Sequence, residues 1–155
     1  MRFNKFSKTL MLIITSYFIW GCGYQPILNE ENQKFYISQF NLEGNKRLSG
    51  LLKNNLIVAK KNKNSLVLNI KSEKKNVVAN KNQNGKILSY ALTLNFEIKA
   101  SKNKNIIYSK VFTKTQNYNA ADVHSGTLNN EKKLVETLIE SIANELLIEL
   151  NSIYQ

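Results

Sequence analysis

Apolar residues in this chain follow three patterns, each predicting a different element. The first is a run. Residues 10–20 are almost continuously apolar, and as a helix they would reach only about 16 Å at roughly 1.5 Å per residue. The hydrocarbon core of a bilayer is about 30 Å thick, so the run is too short to cross it. Arg2, Lys5 and Lys8 precede it, giving the positive and then apolar layout of a secretory signal peptide.

The second pattern is alternation, the mark of a half-buried strand. Residues 35–42 place Phe35, Ile37, Phe40 and Leu42 among polar neighbours. Glu43, Gly44 and Asn45 then break the strand. Leu66, Leu68 and Ile70 alternate with Val67, Asn69 and Lys71, and the polar residues 80–85 predict a turn. The clearest strand puts Leu88, Tyr90, Leu92, Leu94, Phe96, Ile98 and Ala100 on one face and Ser89, Thr93, Asn95, Glu97 and Lys99 on the other. Residues 102–105 turn the chain, and 106 to about 118 return as a fourth strand. Residues 119–130 read as loop.

The third pattern is helical spacing. Leu48, Leu51, Leu52, Leu56 and Ala59 predict a helix over residues 47–60. Leu134, Leu138, Ile142, Leu146, Leu150 and Ile153 predict a longer one over 131–154, its stripe widened by Val135, Ile139, Ala143 and Leu147. The predicted fold class is therefore α+β, in the order β-α-β-β-β-α. A helical crossover permits a parallel first pair, and short connections imply antiparallel hairpins after it. Two helices would pack on one face of a four-stranded mixed sheet, leaving Thr, Asn and Lys exposed on the other. The predicted organisation is a signal segment over 1–21, a tether over 22–33 and a single α/β sandwich domain over 34–155. The tether reaches at most about 36 Å when extended.

Charge changes this picture only partly. The chain has 155 residues, with 22 Lys or Arg against 11 Asp or Glu and a formal charge of +11. Residues 22–121 hold 17 basic and 5 acidic residues, whereas 122–155 hold 2 and 6. The body is basic and the tail acidic. Arg occurs only at positions 2 and 47, and Lys keeps company with Asn, as an AT-rich codon usage would produce. A surface selected for nucleic acid would be expected to recruit Arg for its bidentate fork. Export argues further against a nucleic-acid partner. Phosphates of phospholipid or lipopolysaccharide suit such a surface better.

Little catalytic chemistry is available. One Cys excludes an internal disulfide framework and a Cys-based zinc site, and His124 is the only histidine. Asp122, His124 and Ser125 lie close in sequence, but no nucleophile-elbow glycine pattern surrounds Ser125. No phosphate-cradling glycine loop is present. Glu136, Glu140 and Glu149 have the spacing of a helix's solvated side. The expectation is no enzyme, no metal and no cofactor.

The sole Cys stands at Gly21-Cys22-Gly23, directly after the apolar run. This resembles a bacterial lipoprotein signal, in which a small residue precedes a Cys that becomes lipidated and N-terminal. Trp20 departs from that pattern, and the plainer alternative is an uncleaved anchor with a chance Cys. The resemblance implies lipidation of Cys22, and Gly23, not being Asp, implies sorting to the outer membrane.

A wider resemblance follows. Gly21-Cys22-Gly23-Tyr24-Gln25-Pro26, the first helix around 47–56, the passage Thr115-Gln116-Asn117-Tyr118-Asn119-Ala120-Ala121-Asp122 and the acidic, leucine-rich terminal helix occur in the order seen in LptE. LptE is the lipopolysaccharide-assembly lipoprotein, and the similarity is to its divergent alphaproteobacterial form. The resemblance implies an α/β sandwich that plugs the outer-membrane β-barrel LptD, supports its assembly and binds lipopolysaccharide. It further implies that Lys81, Lys86, Lys102 and Lys104, at the two turns, touch lipopolysaccharide phosphates or the barrel wall. Solvated loop lysines are the plain alternative. The competing functions are a free-standing lipid-carrier lipoprotein, which needs a large apolar cavity, and a periplasmic transport adaptor.

Overall fold

The computed structural model describes residues 33–56 and 64–154. The signal segment, Cys22, most of the tether and Ala59 lie outside the described residues. Among the described residues six elements follow the expected order: β1 (Tyr36–Gly44), α1 (Lys46–Asn55), β2 (Ser65–Lys81), β3 (Ile87–Lys102), β4 (Asn105–Asn119) and α2 (His124–Ser152). They form one four-stranded sheet ordered β1-β2-β3-β4, with β1 parallel to β2 and the remaining pairs antiparallel.

Both helices cover the same face. Register brings Leu68, Ile70, Phe96, Ile98 and Phe112 to that side. There they meet Leu48 and Leu52 of α1 and the stripe Leu138, Ile142, Leu146 and Leu150 of α2. Among the described residues thirteen large side chains, Phe35 and Phe96 among them, are less than 2% exposed. Fully burying each contributes on the order of 1.5–3 kcal/mol relative to exposure, so this layer is the main source of stability.

A second device closes the β1–β2 end. Gly44 has φ +72°, and a Cβ there would lie 2.3 Å from the Ser72 carbonyl oxygen. That carbonyl accepts the Asn45 N–H at 2.9 Å. The Ser72 hydroxyl donates to the Asn45 carbonyl at 2.9 Å and meets the Ser49 hydroxyl at 2.7 Å. Asn45 caps α1 by accepting the Leu48 N–H at 3.2 Å. The predicted strand break at Gly44 is thus a tight, hydrogen-bonded corner.

Four element boundaries differ from expectation. The first helix ends at Asn55, not at 60: Leu56 is its C-cap, in extended backbone, after Asn54 and Asn55, poor helix formers. The terminal helix begins at His124, seven residues before Glu131, so the expected loop over 119–130 shrinks to 120–123. Residues 124–130 include Gly, Ser and two Asn, poor helix formers; tertiary contacts hold them. Thr127 Oγ1 accepts the Ala121 N–H at 2.9 Å, and Asn130 donates to the Asn119 carbonyl at 2.9 Å. Ile153 lies beyond the helix end and is exposed, not part of the stripe. Strand β2 runs on to Lys81 although its second half is polar on both sides. Past Ser72 it has neither β1 beside it nor a buried inner face, so no alternation marks it in the sequence.

Candidate functional site

The face of the sheet away from the helices is bare, as expected, and its polar groups are bonded sideways along it. Thr93 and Thr115 share a hydroxyl hydrogen bond of 2.9 Å, and Thr113 donates to Asn95 at 2.9 Å. Asn41 donates to Asn69 at 2.7 Å, and Lys99 pairs with Glu97 at 2.6 Å. The face is mainly polar, broken by the exposed Val77 and Val111.

The covered side explains the split between basic body and acidic tail. Lys110 bonds Glu145 and Glu149, Lys114 bonds Glu145 at 2.8 Å, and Lys74 bonds Glu131 at 2.6 Å. The lysines sit on β4 and β2 and the glutamates on α2, so ion pairs strap the tail to the body. Glu149 is therefore not simply solvated, as its spacing suggested; it also accepts the Tyr108 hydroxyl at 2.6 Å. Hydrogen bonds from Lys114 and then Lys110 hold Glu145 below the usual carboxylate range, and Lys110 and then Tyr108 do so for Glu149. Burial, reinforced by Glu149, pushes the Tyr108 phenol far above its ordinary value. Burial alone would raise Glu131, but Lys74 and Tyr118 outweigh it and the carboxyl is lowered.

The sheet has two distinct ends. At the entry end lie Gln33, the starts of β1, β2 and β4, the Asn103-Lys104 turn and the C-terminus of α2. At the far end lie the residue 82–86 turn and the N-terminus of α2, while α1 begins beside Ser72, midway along β2. The 16 residues of β3 connect them, a span of about 50 Å at roughly 3.3 Å per residue.

This separation divides the four lysines. Lys81 and Lys86 belong to the far end, Lys102 and Lys104 to the entry end, and no single ligand headgroup spans both pairs. Lys86 reaches Asp122 at 2.9 Å, in a solvated pair. Lys102 donates to Asn64 at 2.9 Å and sits 5.3 Å from the centre of the Tyr154 ring. Lys104 is exposed, with φ 69°.

Asp122, His124 and Ser125 do not assemble. His124 is the first residue of α2 instead of a loop residue, and Asp122 turns to Lys86. Among the described residues no group of three or more His, Cys, Asp or Glu could hold a metal ion. No described helix is long and apolar enough to cross a membrane.

Pattern reading did not find the far-end groove. It has a volume of about 580 Å³ and is lined by Tyr90, Tyr118, Asn76, His124 and Glu131 among others. Tyr90 and Tyr118 stack with centroids 5.4 Å apart, and the Tyr118 hydroxyl accepts from Asn76 at 2.6 Å. Tyr118 itself is buried, finishing the edge of the core. A second groove of about 380 Å³ runs between the helices, beside Arg47, Leu51, Leu128 and Lys132. Both are open surface depressions, not enclosed cavities.

No family model matches the sequence, and no curated protein matches it either. Solved structures do. The rare lipoprotein B from Shewanella oneidensis superposes with a TM-score of 0.55 at 15% identity, covering 74% of this chain and 95% of that one. A minor lipoprotein from Acinetobacter baumannii gives 0.55 at 18%, covering 82% and 94%. A putative lipoprotein from Caulobacter crescentus gives 0.56 at 12%, covering 79% and 92%. The fold is shared with proteins described as lipoproteins. At these identities the likeness extends to the fold alone.

Proposed function

We propose that this chain is an outer-membrane lipoprotein of the LptE kind, acylated at Cys22. In this reading it plugs an LptD-like β-barrel, supports its assembly, and acts with it in inserting lipopolysaccharide into the outer leaflet. Its role is positional, not catalytic.

The observation that carries the reading is the asymmetry of the sheet. One face is filled by two helices; the other is a largely polar plate on which Thr93 and Thr115, Thr113 and Asn95, Asn41 and Asn69, and Lys99 and Glu97 bond one another. Barrel interiors are polar and wet, and a plate of that kind meets such a wall without desolvating unpaired groups. The shared fold with described lipoproteins and the motif around Cys22 support it. The lipid-carrier alternative needs an apolar interior cavity, whereas the apolar side chains of the described residues pack into one buried cluster and the far-end groove carries Asn76, Lys86, Asp122 and Glu131.

The test is purification from detergent-solubilised outer membrane through a C-terminal tag. The reading predicts a large β-barrel at equal stoichiometry. An isolated monomer carrying bound lipid would overturn it and make the carrier the working function.

A further inference from the structure

We infer that the entry end of the domain is a membrane-docking surface that rests on anionic lipid headgroups. This rests on the proposed acylation of Cys22, and it adds which part of the folded domain meets the bilayer.

The first observation is topological. Gln33, the first described residue, is buried at the same end as the Asn103-Lys104 turn and the close of α2. The Lys34 N–H donates to Asn151 at 3.1 Å, its carbonyl accepts from Asn64 at 2.8 Å, and Phe35 stacks on Tyr154 with centroids 6.2 Å apart. A chain coming from Cys22 therefore enters here. Residues 22–33 reach at most about 36 Å, which leaves slack enough for the domain to lie down or stand. The tether alone does not choose its orientation.

Surface chemistry does. Residues 33–36, 64–66, 101–106 and 151–154 contain Lys34, Lys102 and Lys104 and no Asp or Glu. Ile106 and Ile153 are exposed at the same end, 62% and 42%, beside the partly buried Tyr154. Cations, exposed aliphatics and a tyrosine together are the composition of a headgroup-level surface. The far end also exposes aliphatics, Val77, Val78, Leu88, Val123 and Leu128, and carries Lys81. There, however, carboxylates stand among the lysines, Asp122 paired with Lys86 and Glu131 with Lys74; the entry end differs in having none.

Backbone strain supplies a second observation. Asn103 and Lys104 have φ 51° and 69°. A two-residue hairpin with both positions at positive φ favours Asn-Gly. Asn103 conforms, but the second place holds a lysine where glycine would be unstrained. Strain kept at one position points to a use for its side chain.

The experiment reads orientation on vesicles. The mature acylated chain is reconstituted into phosphatidylethanolamine–phosphatidylglycerol vesicles. A dye is placed on Asn105→Cys at the entry end or Asn84→Cys at the far turn, and energy transfer is measured to an acceptor on the lipid headgroups. Docking predicts strong transfer from position 105 and little from 84. Lys34→Gln with Lys104→Gly removes two charges while suiting the turn. At about fivefold per lysine, it should lower the docked-to-undocked ratio roughly 25-fold and bring the two signals together, as should phosphatidylcholine vesicles. Equal transfer from both positions on anionic vesicles, or stronger transfer from 84, would overturn the inference. Mass spectrometry of the same sample separates the two claims. Acyl chains on Cys22 with equal transfer sink the docking surface alone, and absent acyl chains sink the anchoring on which it rests.

Discussion

Replacing Gly44 by Ala tests the corner where β1, β2 and α1 meet. An L-residue at φ +72° costs about 1–2 kcal/mol. The new Cβ would stand 2.3 Å from the Ser72 carbonyl oxygen, so the two strands must separate by about 1 Å to reach an ordinary contact. That movement weakens the Asn45-to-Ser72 hydrogen bond, worth about 1 kcal/mol net, and disturbs the Ser49–Ser72 hydroxyls, at a further 1–2 kcal/mol. The expected loss is about 3–5 kcal/mol. For a domain of this size it corresponds to a fall in Tm of roughly 12–20 °C. The internal control is Gly50, in the middle of α1, where an added Cβ meets nothing within 4 Å. Gly50→Ala should gain about 0.5–1 kcal/mol from helix propensity. Urea unfolding of the mature chain followed by circular dichroism measures both. Equal destabilisation by the two variants, or a Gly44→Ala change under 1 kcal/mol, would refute the described corner.

Three further outcomes are expected. Phe96→Ala, at a fully buried position under the helices, should cost about 3–5 kcal/mol through lost burial and the cavity left behind, read in the same unfolding assay. Lys104→Gly should gain about 1 kcal/mol by relieving its positive φ; a loss there would mean the turn is not of the described type. Glu145 and Glu149 are held below their ordinary value of 4.5, chiefly by Lys114 and Lys110 respectively. Their depressed folded values place their contribution fully above about pH 5 and remove it as pH falls through those values. Unfolding free energy measured from pH 6 to 3 should therefore decline, and Glu145→Gln with Glu149→Gln should flatten that decline.

What the sequence revealed depended on how many faces of each element are buried. β3 is covered on one face along most of its length, so its alternation announces the strand and its register. The first half of β2, with Leu66, Leu68 and Ile70, is equally legible. Its second half is exposed on both faces and held by backbone pairing, which leaves no pattern. The first two turns of α2 resemble a loop in sequence because their residues disfavour helix, and contacts to Ala121 and Asn119 override that preference. Charge was legible as an imbalance between body and tail, but not as the strap of Lys110 and Lys114 to Glu145 and Glu149, since pairing across 31 to 39 residues is a property of the folded register. The four turn lysines were easy to find by composition. Their division between two ends about 50 Å apart needed the topology.

The central claim is that the bare sheet face lies against a β-barrel wall. A photo-crosslinking amino acid at position 95 or 113, where Asn95 and Thr113 meet on that face, tests it in intact cells. The account predicts a covalent adduct with a large, heat-modifiable outer-membrane barrel from both positions. Adducts confined to lipid, or no barrel adduct from a chain that is folded and acylated, would contradict it.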